Sequence, residues 1–172
     1  AAQNGLMAAR LAARGFTSRP DALECAQGLA ATQSADFNPQ EAMLEAPLDH
    51  HIANNLFKYH AACYLTHGAI EAAKGLREKT AASSNAIRSI EIRVPPVADR
   101  VCNIARPETG LEAKFSLRLT AAMALAGRDT AGIATYTDEL TRDPELGRLR
   151  DMATIVFVDG YPEAKAEGSI TT

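Results

Sequence analysis

Apolar residues recur along this chain in two rhythms: a helical one over most of its length and a strict alternation in one short stretch. Residues 1–14, AAQNGLMAARLAAR, read as a helix with Leu6, Met7, Arg10 and Leu11 spread around it and Gly15 as its stop. Ser18, two residues before Pro20, signals a second helix running to about Thr32, so the two form a helical hairpin. The first helix is apolar over more than one stripe. A two-helix unit cannot bury that surface alone, so the helix calls for further partners. Residues 33–55 are mixed, with Pro39 and Pro47 bracketing QEAMLEA, a short helix at most. This is the expected boundary region.

Beyond it the pattern predicts a long helix from about Ala61 to Lys79, then a polar break, TAASSN. AIRSIEIRVPP alternates, with Ile90, Ile92 and Val94 on one face and Glu91 and Arg93 on the other. That is a half-buried strand ended by two prolines. After the loop ARPETG comes a helix from Leu111 to Ala126, closed by Gly127. Residues 130–141 and 144–151 read as shorter helices, the second with Asp143 as N-cap and Pro144 in the first helical position. TIVFVD (154–159) is a compact strand, and EGSITT reads as another at the chain end. Strands separated by helices make the C-terminal two-thirds α+β, a small sheet with packed helices. No repeat or heptad run is visible.

Composition narrows the function classes without choosing one. The 172 residues suffice for a domain with a real core, and 47% hydrophobic with 23% charged residues is ordinary for a globular protein. A net charge of −3 gives no electrostatic case for nucleic acid or an anionic membrane surface. No apolar run approaches the roughly 18 residues of a membrane span, and no basic region followed by an apolar core marks a signal peptide. The three cysteines, Cys25, Cys63 and Cys102, are widely spaced and form no CxxC. They predict reduced thiols and a cytoplasmic location.

Candidate chemistry concentrates in FKYHAACYLTH, residues 57–67. His60, Cys63 and His67 share one face if a helix begins by residue 60. Cys63 and His67 could then share a zinc ion, with DHH at 49–51 folding back to complete it, although no standard zinc spacing appears. A Cys-His nucleophile pair is a second option. The bland reading is a small buried cysteine and a helix histidine at the surface or in a capped core, with His60 nothing special. Lys58 stands at the expected helix entrance, where a cation is disfavoured by the dipole; an ammonium kept there suggests an anion nearby.

Four stretches carry a family resemblance. NGLMAARLAARGFTSRPDALECAQGL resembles a hairpin of the MmgE/PrpD family reading N-G-(apolar)-A-A-x-L-A-x-x-G-F-T. FKYHAACYLTH is similar to its K-x-(Y/P)-x-A-C-x-x-T-H segment, RPETGLEAKFSLRLTAAMAL to its P-x-T-G-x-E-A-K-F-S block, and RDPELGRLRDMATIVFVD to its D-P helix and following strand. The family includes 2-methylcitrate dehydratase, cis-aconitate decarboxylase and iminodisuccinate epimerase.

The resemblance implies cofactor-free and metal-free chemistry on a small di- or tricarboxylate, beginning with a proton alpha to a carboxylate. It also implies a homodimer whose active site lies between an all-helical domain and an α+β lid. On that template residues 1–51 are the tail of the helical domain and 52–172 most of the lid. The family's N-terminal helices, with their Asp and His residues, and its closing helices have no counterpart here. The expectation is therefore a segment of a longer enzyme, or a non-catalytic dimeric remnant or binding domain of the same fold, in which half of the site is missing. The resemblance makes Lys58 and His67 the catalytic candidates, and Cys63, Lys114 and Ser116 the substrate-binding ones. The decarboxylase branch carries a histidine at the position of Cys63, which makes decarboxylation the least favoured reaction.

Overall fold

The computed structural model describes residues 2–42, 55–80, 83–163 and 165–172. The chain divides between Asn55 and Leu56 into two compact units. The boundary expected at 51/52, Pro47, most of QEAMLEA and the DHH at 49–51 lie outside the described residues.

The first unit contains helix α1 (Ala2–Ala12), a short α2 (Leu29–Gln33) and a single turn, α3 (Pro39–Ala42). The apolar side chains of α1 are exposed on more than one side, Leu6, Met7 and Leu11 among them, as its broad apolar face predicts. The second helix of the expected hairpin is not there. Residues 20–28 form successive turns, and only Leu29–Gln33 is helical. Asp21, the acid best placed for the first turn, is held by both carboxylate oxygens on the Arg19 guanidinium at 2.6 and 2.8 Å. The chain then closes tightly at Gly28, whose amide donates to the Cys25 carbonyl.

The second unit is α+β, as its patterning predicts. Its sheet has the order β2-β1-β3, with β1 (Ser89–Val94) in the centre, β2 (Ala153–Phe157) parallel to it and β3 (Glu167–Thr171) antiparallel. Ile90 stands opposite Ala153 and Ile170, and Ile92 opposite Ile155 and Gly168. Ile90, Ile92 and Val94 are buried and Arg93 is exposed, so the alternation resolves into faces as expected. A parallel pair needs a long crossover; here it carries helices α5 (Val97–Cys102), α6 (Gly110–Ala113), α7 (Leu117–Leu125), α8 (Asp138–Thr141) and α9 (Pro144–Asp151). Helix α4 (His67–Thr80), ahead of the sheet, packs on α7 and β3, and α7 packs on α9.

Three expected helices are revised by local hydrogen bonding. The helix expected from Leu111 to Ala126 is two helices, because Ser116 turns its hydroxyl to both sides. Its Oγ accepts from the Leu119 amide, capping α7, and donates to the Ile104 carbonyl at 2.7 Å. Thr109 and Glu112 form a reciprocal capping box that starts α6. In 130–141, Asp129 captures the amides of Ala131 and Gly132, leaving a 3₁₀ turn at Ile133–Thr135 and the short α8 capped by Thr137. The helix expected from Ala61 starts as a 3₁₀ turn at Tyr64 and becomes α-helical only at His67. One helix, α5, was not foreseen. Proline is compatible with a helix start, and Pro96 leads into α5 instead of merely ending β1.

Other expected punctuation holds. Asp143 caps α9 through the amides of Glu145 and Leu146, and Gly127 ends the α7 segment at φ 72°, a left-handed conformation that costs glycine little. Gly110 is required by space: a Cβ there would overlap the backbone carbonyl of Tyr136. Gly110→Ala is therefore expected to destabilise the second unit by about 1–3 kcal/mol or more, measured by urea unfolding. A stability equal to wild type would show that the Tyr136 backbone yields freely.

Candidate active site

Residues 57–63 form no regular element, and they are fixed from outside. The Ala61 amide donates to the Thr130 carbonyl at 3.0 Å and the Cys63 amide to the Lys114 carbonyl at 2.8 Å. Thr66 returns its hydroxyl to the Cys63 carbonyl at 2.7 Å, turning the chain into α4. These tertiary bonds explain why the helix cannot begin by residue 60. The expected shared helical face of His60, Cys63 and His67 does not form, and Lys58 is not at a helix entrance. The dipole argument for an anion beside it therefore falls away.

An open depression of about 570 Å³ lies along this segment and the outer face of α4, lined by Phe57, Tyr59, His60, Tyr64, His67, Gly68, Glu71 and Lys74. Helix α4 supplies one wall because Ala69, Ile70 and Ala73 bury the opposite face. That leaves His67, Glu71 and Lys74, spaced four and three residues apart, to look outward.

His60 is the most firmly held ionisable group in the site. It is 3% exposed, with Nε2 at 2.8 Å from Glu71 Oε1 and Nδ1 at 2.9 Å from Thr130 Oγ1. A carboxylate only accepts, so His60 donates from Nε2–H, and its bare Nδ1 accepts the Thr130 hydroxyl. Glu71 also meets Lys74 Nζ at 3.0 Å. That contact, ahead of His60, holds the exposed Glu71 carboxyl below its ordinary value.

His67 packs against His60 edge to face, with ring centroids 4.9 Å apart, and against Tyr64 at 5.4 Å. Its Nε2 is buried and has no hydrogen-bond partner among the described residues. The nearby backbone of Ala62 and His60 favours the protonated ring. Burial, then the neighbouring His60, then Lys58 push the His67 imidazole below its ordinary value. Burial, then Lys74, do the same for His60 against the opposing pull of Glu71 and Asp129. Both rings are neutral at neutral pH.

The remaining candidates separate. Lys58 is exposed, makes no hydrogen bond or ion pair among the described residues, and lies near enough for its charge to act on His67. Cys63 is in the core beside Cys102, whose thiol is pushed up to about 12 by burial and by Cys63. Ser116 is fully buried as the α7 cap. Lys114 holds its ammonium 5.6 Å from the Tyr136 ring centroid. None of Cys63, Lys114 and Ser116 lines the depression. The Cys63–His67 zinc option has no support: among the described residues no three His, Cys, Asp or Glu side chains are placed to hold a metal ion.

His60, Tyr64, Glu71, Lys74 and Thr130 were missed as site residues. The first four lie within one turn or two of His67 in sequence, so helical spacing from His67 points to Glu71 and Lys74. Nothing near the segment points to Thr130, seventy residues away.

Residues 60–169 match the MmgE/PrpD C-terminal domain, and the chain belongs to the MmgE/PrpD family, a family of dehydratase-like enzymes. No curated protein matches the chain. Among the described residues, no helix is long and apolar enough to cross a membrane.

The two depressed imidazoles contribute to the pH response of stability above the carboxylate range. A histidine held low in the folded state binds fewer protons than in the unfolded chain as pH falls past about 6.5. Stability contributed by the neutral rings is therefore full above that pH and is lost with acid. Thermal unfolding followed from about pH 8 to 5 should show a falling midpoint, and His67→Gln should flatten the fall. Identical slopes for the two proteins would contradict a depressed His67.

Proposed function

We propose that this chain is part of a metal-independent lyase or epimerase that removes a proton alpha to a carboxylate of a small di- or tricarboxylate. The carrying observation is His67, whose buried Nε2 has no partner among the described residues and which lines a depression that also presents Lys74 and stands near Lys58.

The chemistry follows from what each group can do. An unprotonated imidazole nitrogen accepts the carbon-bound proton. The electron pair left behind spreads onto the adjacent carboxylate, where an ammonium lowers the barrier by meeting the growing charge. Lys58 is exposed, carries no internal ion pair among the described residues, and suits that role. Lys74, already paired with Glu71, suits orientation of a second carboxylate. Breaking of the β C–O bond, with the departing hydroxyl taking up the proton held on the imidazole and leaving as water, completes a dehydration; return of a proton to the other face of the carbanion completes an epimerisation. Cys63 and Ser116 lie in the core and Lys114 beside the Tyr136 ring, and the reading gives them no contact with substrate.

Family likeness supports the rest of the proposal: a homodimer, residues 1–51 as the tail of a helical domain, and 52–172 as a lid closing on it. A cytoplasmic location fits three free thiols.

The test is proton exchange in deuterium oxide, followed by NMR on 2-methylcitrate and related di- and tricarboxylates, with the chain in the full protein that carries it. Exchange at the alpha carbon is expected on at least one of them. Lys58→Ala should slow it about 10²-fold or more, and His67→Gln by about 10²–10⁴-fold. Absence of exchange on every carboxylate, or exchange indifferent to both variants, would sink the proposal in favour of a binding or structural module.

A further inference from the structure

Two adjoining hollows of about 260 and 190 Å³ share Arg106 and Arg150 in their walls and none of the residues that line the depression beside His67. Arg142 and Glu108 also line the first, and Arg118 and Asp151 the second. Four arginines thus face two carboxylates, in a chain whose net charge is −3. The three guanidiniums of the second hollow arrive from three places. Arg106 lies between α5 and α6, Arg118 in the first turn of α7, and Arg150 in the last turn of α9.

Two of these are accounted for by their surroundings. Asp151 accepts from Arg150 Nε at 2.9 Å on one oxygen and from Arg106 Nη2 at 3.3 Å on the other, and a cation suits the last turn of α9. The carboxylate sets the two guanidiniums side by side and takes one N–H from each, which leaves each the rest of its five donors. Arg118 is different. It is half-buried, stands where a helix disfavours a cation, and forms no ion pair among the described residues. Its hydrogen bonds go to neutral groups, from Nε to the Ala153 carbonyl at 3.3 Å and from Nη1 to the Asn103 side chain. Asp99 is one step removed, accepting from the Asn103 amide at 2.6 Å. Arg118 Nη2 has no partner among the described residues and keeps contact with solvent. Taking a cation out of water without a counter-ion is costly, and an anion in the hollow would offset that cost.

We infer that Arg106, Arg118 and Arg150 form a binding site for the phosphoryl group of a small molecule. A carboxylate is planar and fills one guanidinium fork at a time. A phosphoryl group offers three acceptor oxygens in a tetrahedral arrangement, which suits donors converging from three elements, and guanidinium is the cation that matches it. Its charge of about −1.5 to −2 also meets the excess of positive charge in the lining. No aromatic side chain lines either hollow, so recognition rests on the charged group and not on an apolar body.

The readout is the ¹⁵N NMR signal of the arginine Nε–H groups in the full protein that carries this chain, titrated at constant ionic strength with inorganic phosphate, glycerol phosphate and succinate. Both phosphates should shift Arg118 and Arg150 saturably, and succinate should act on them more weakly. Arg106→Gln and Arg118→Gln should each weaken phosphate binding about tenfold or more. Arg14→Gln, an equal change of charge at an exposed position of the first unit, should leave it unchanged. Arg106 is 75% exposed, so its variant keeps the fold and decides the matter if Arg118→Gln does not fold.

Arginine signals that do not saturate with phosphate, or binding weakened as much by Arg14→Gln as by Arg106→Gln, would overturn the site. Succinate shifting Arg118 at lower concentration than either phosphate would overturn the phosphoryl assignment. These signals do not report on the depression beside His67, so the result is independent of the proposed proton abstraction.

Discussion

Helix α7 has almost no solvent face, and the second unit is arranged around that fact. Every residue from Leu117 to Leu125 except Arg118 is buried. A helix that is apolar all round must be covered on all sides. Helices α4 and α9 pack on it and β2 touches it. Even Arg118 is half-buried, and spends its guanidinium on the Asn103 side chain and the Ala153 carbonyl. Ser116 and Gly127 set the length of the buried segment, one by capping and one by its left-handed turn. Because α4 must give α7 a face built of Ala69, Ile70 and Ala73, its opposite face is free to carry His67, Glu71 and Lys74. The chemistry of the depression is thus displayed by a helix whose orientation the core decides.

The strand β1 and its parallel partner β2 were legible because alternation of Ile90, Ile92 and Val94 against charged neighbours permits one reading, and because β-branched runs bounded by turns leave little ambiguity. Helix α9 was legible from its cap and its proline. What failed in the sequence reading failed for a common reason. Ser116, Asp129 and the amides of Ala61 and Cys63 are engaged by partners that helical periodicity does not register. Apolar spacing across 111–126 is satisfied equally well by one helix or by two with a capped join. Only the Ile104 carbonyl, distant in sequence, selects the second.

The site shows the same limit in sharper form. Lys58 and His67 were marked by the motif they belong to, and the structure brings their influence together. Cys63, Lys114 and Ser116 were marked by the same kind of motif, yet they sit in the core, over Tyr136 and at the α7 cap. A family motif records what a fold requires as well as what a reaction requires, and the two cannot be separated along one dimension of sequence. His60 went the other way. Spacing made it unremarkable, and only the distant Thr130 and the neighbouring Glu71 give it an identity.

Tyr136 joins several of these threads. Its hydroxyl, pushed up to about 12 by burial, then by Asp129, stays protonated and donates to the Thr130 carbonyl. Its ring lies beside the Lys114 ammonium, and its own carbonyl stands where a side chain on Gly110 would project. On the proposed reaction, a random-mutagenesis screen scored only by turnover would therefore mark Gly110, Lys114, Tyr136 and Thr130 alongside Lys58 and His67. The map would outline a site much larger than the one that meets the ligand. In this fold, intolerance to substitution traces the scaffolding of a loop as faithfully as it traces the chemistry the loop presents.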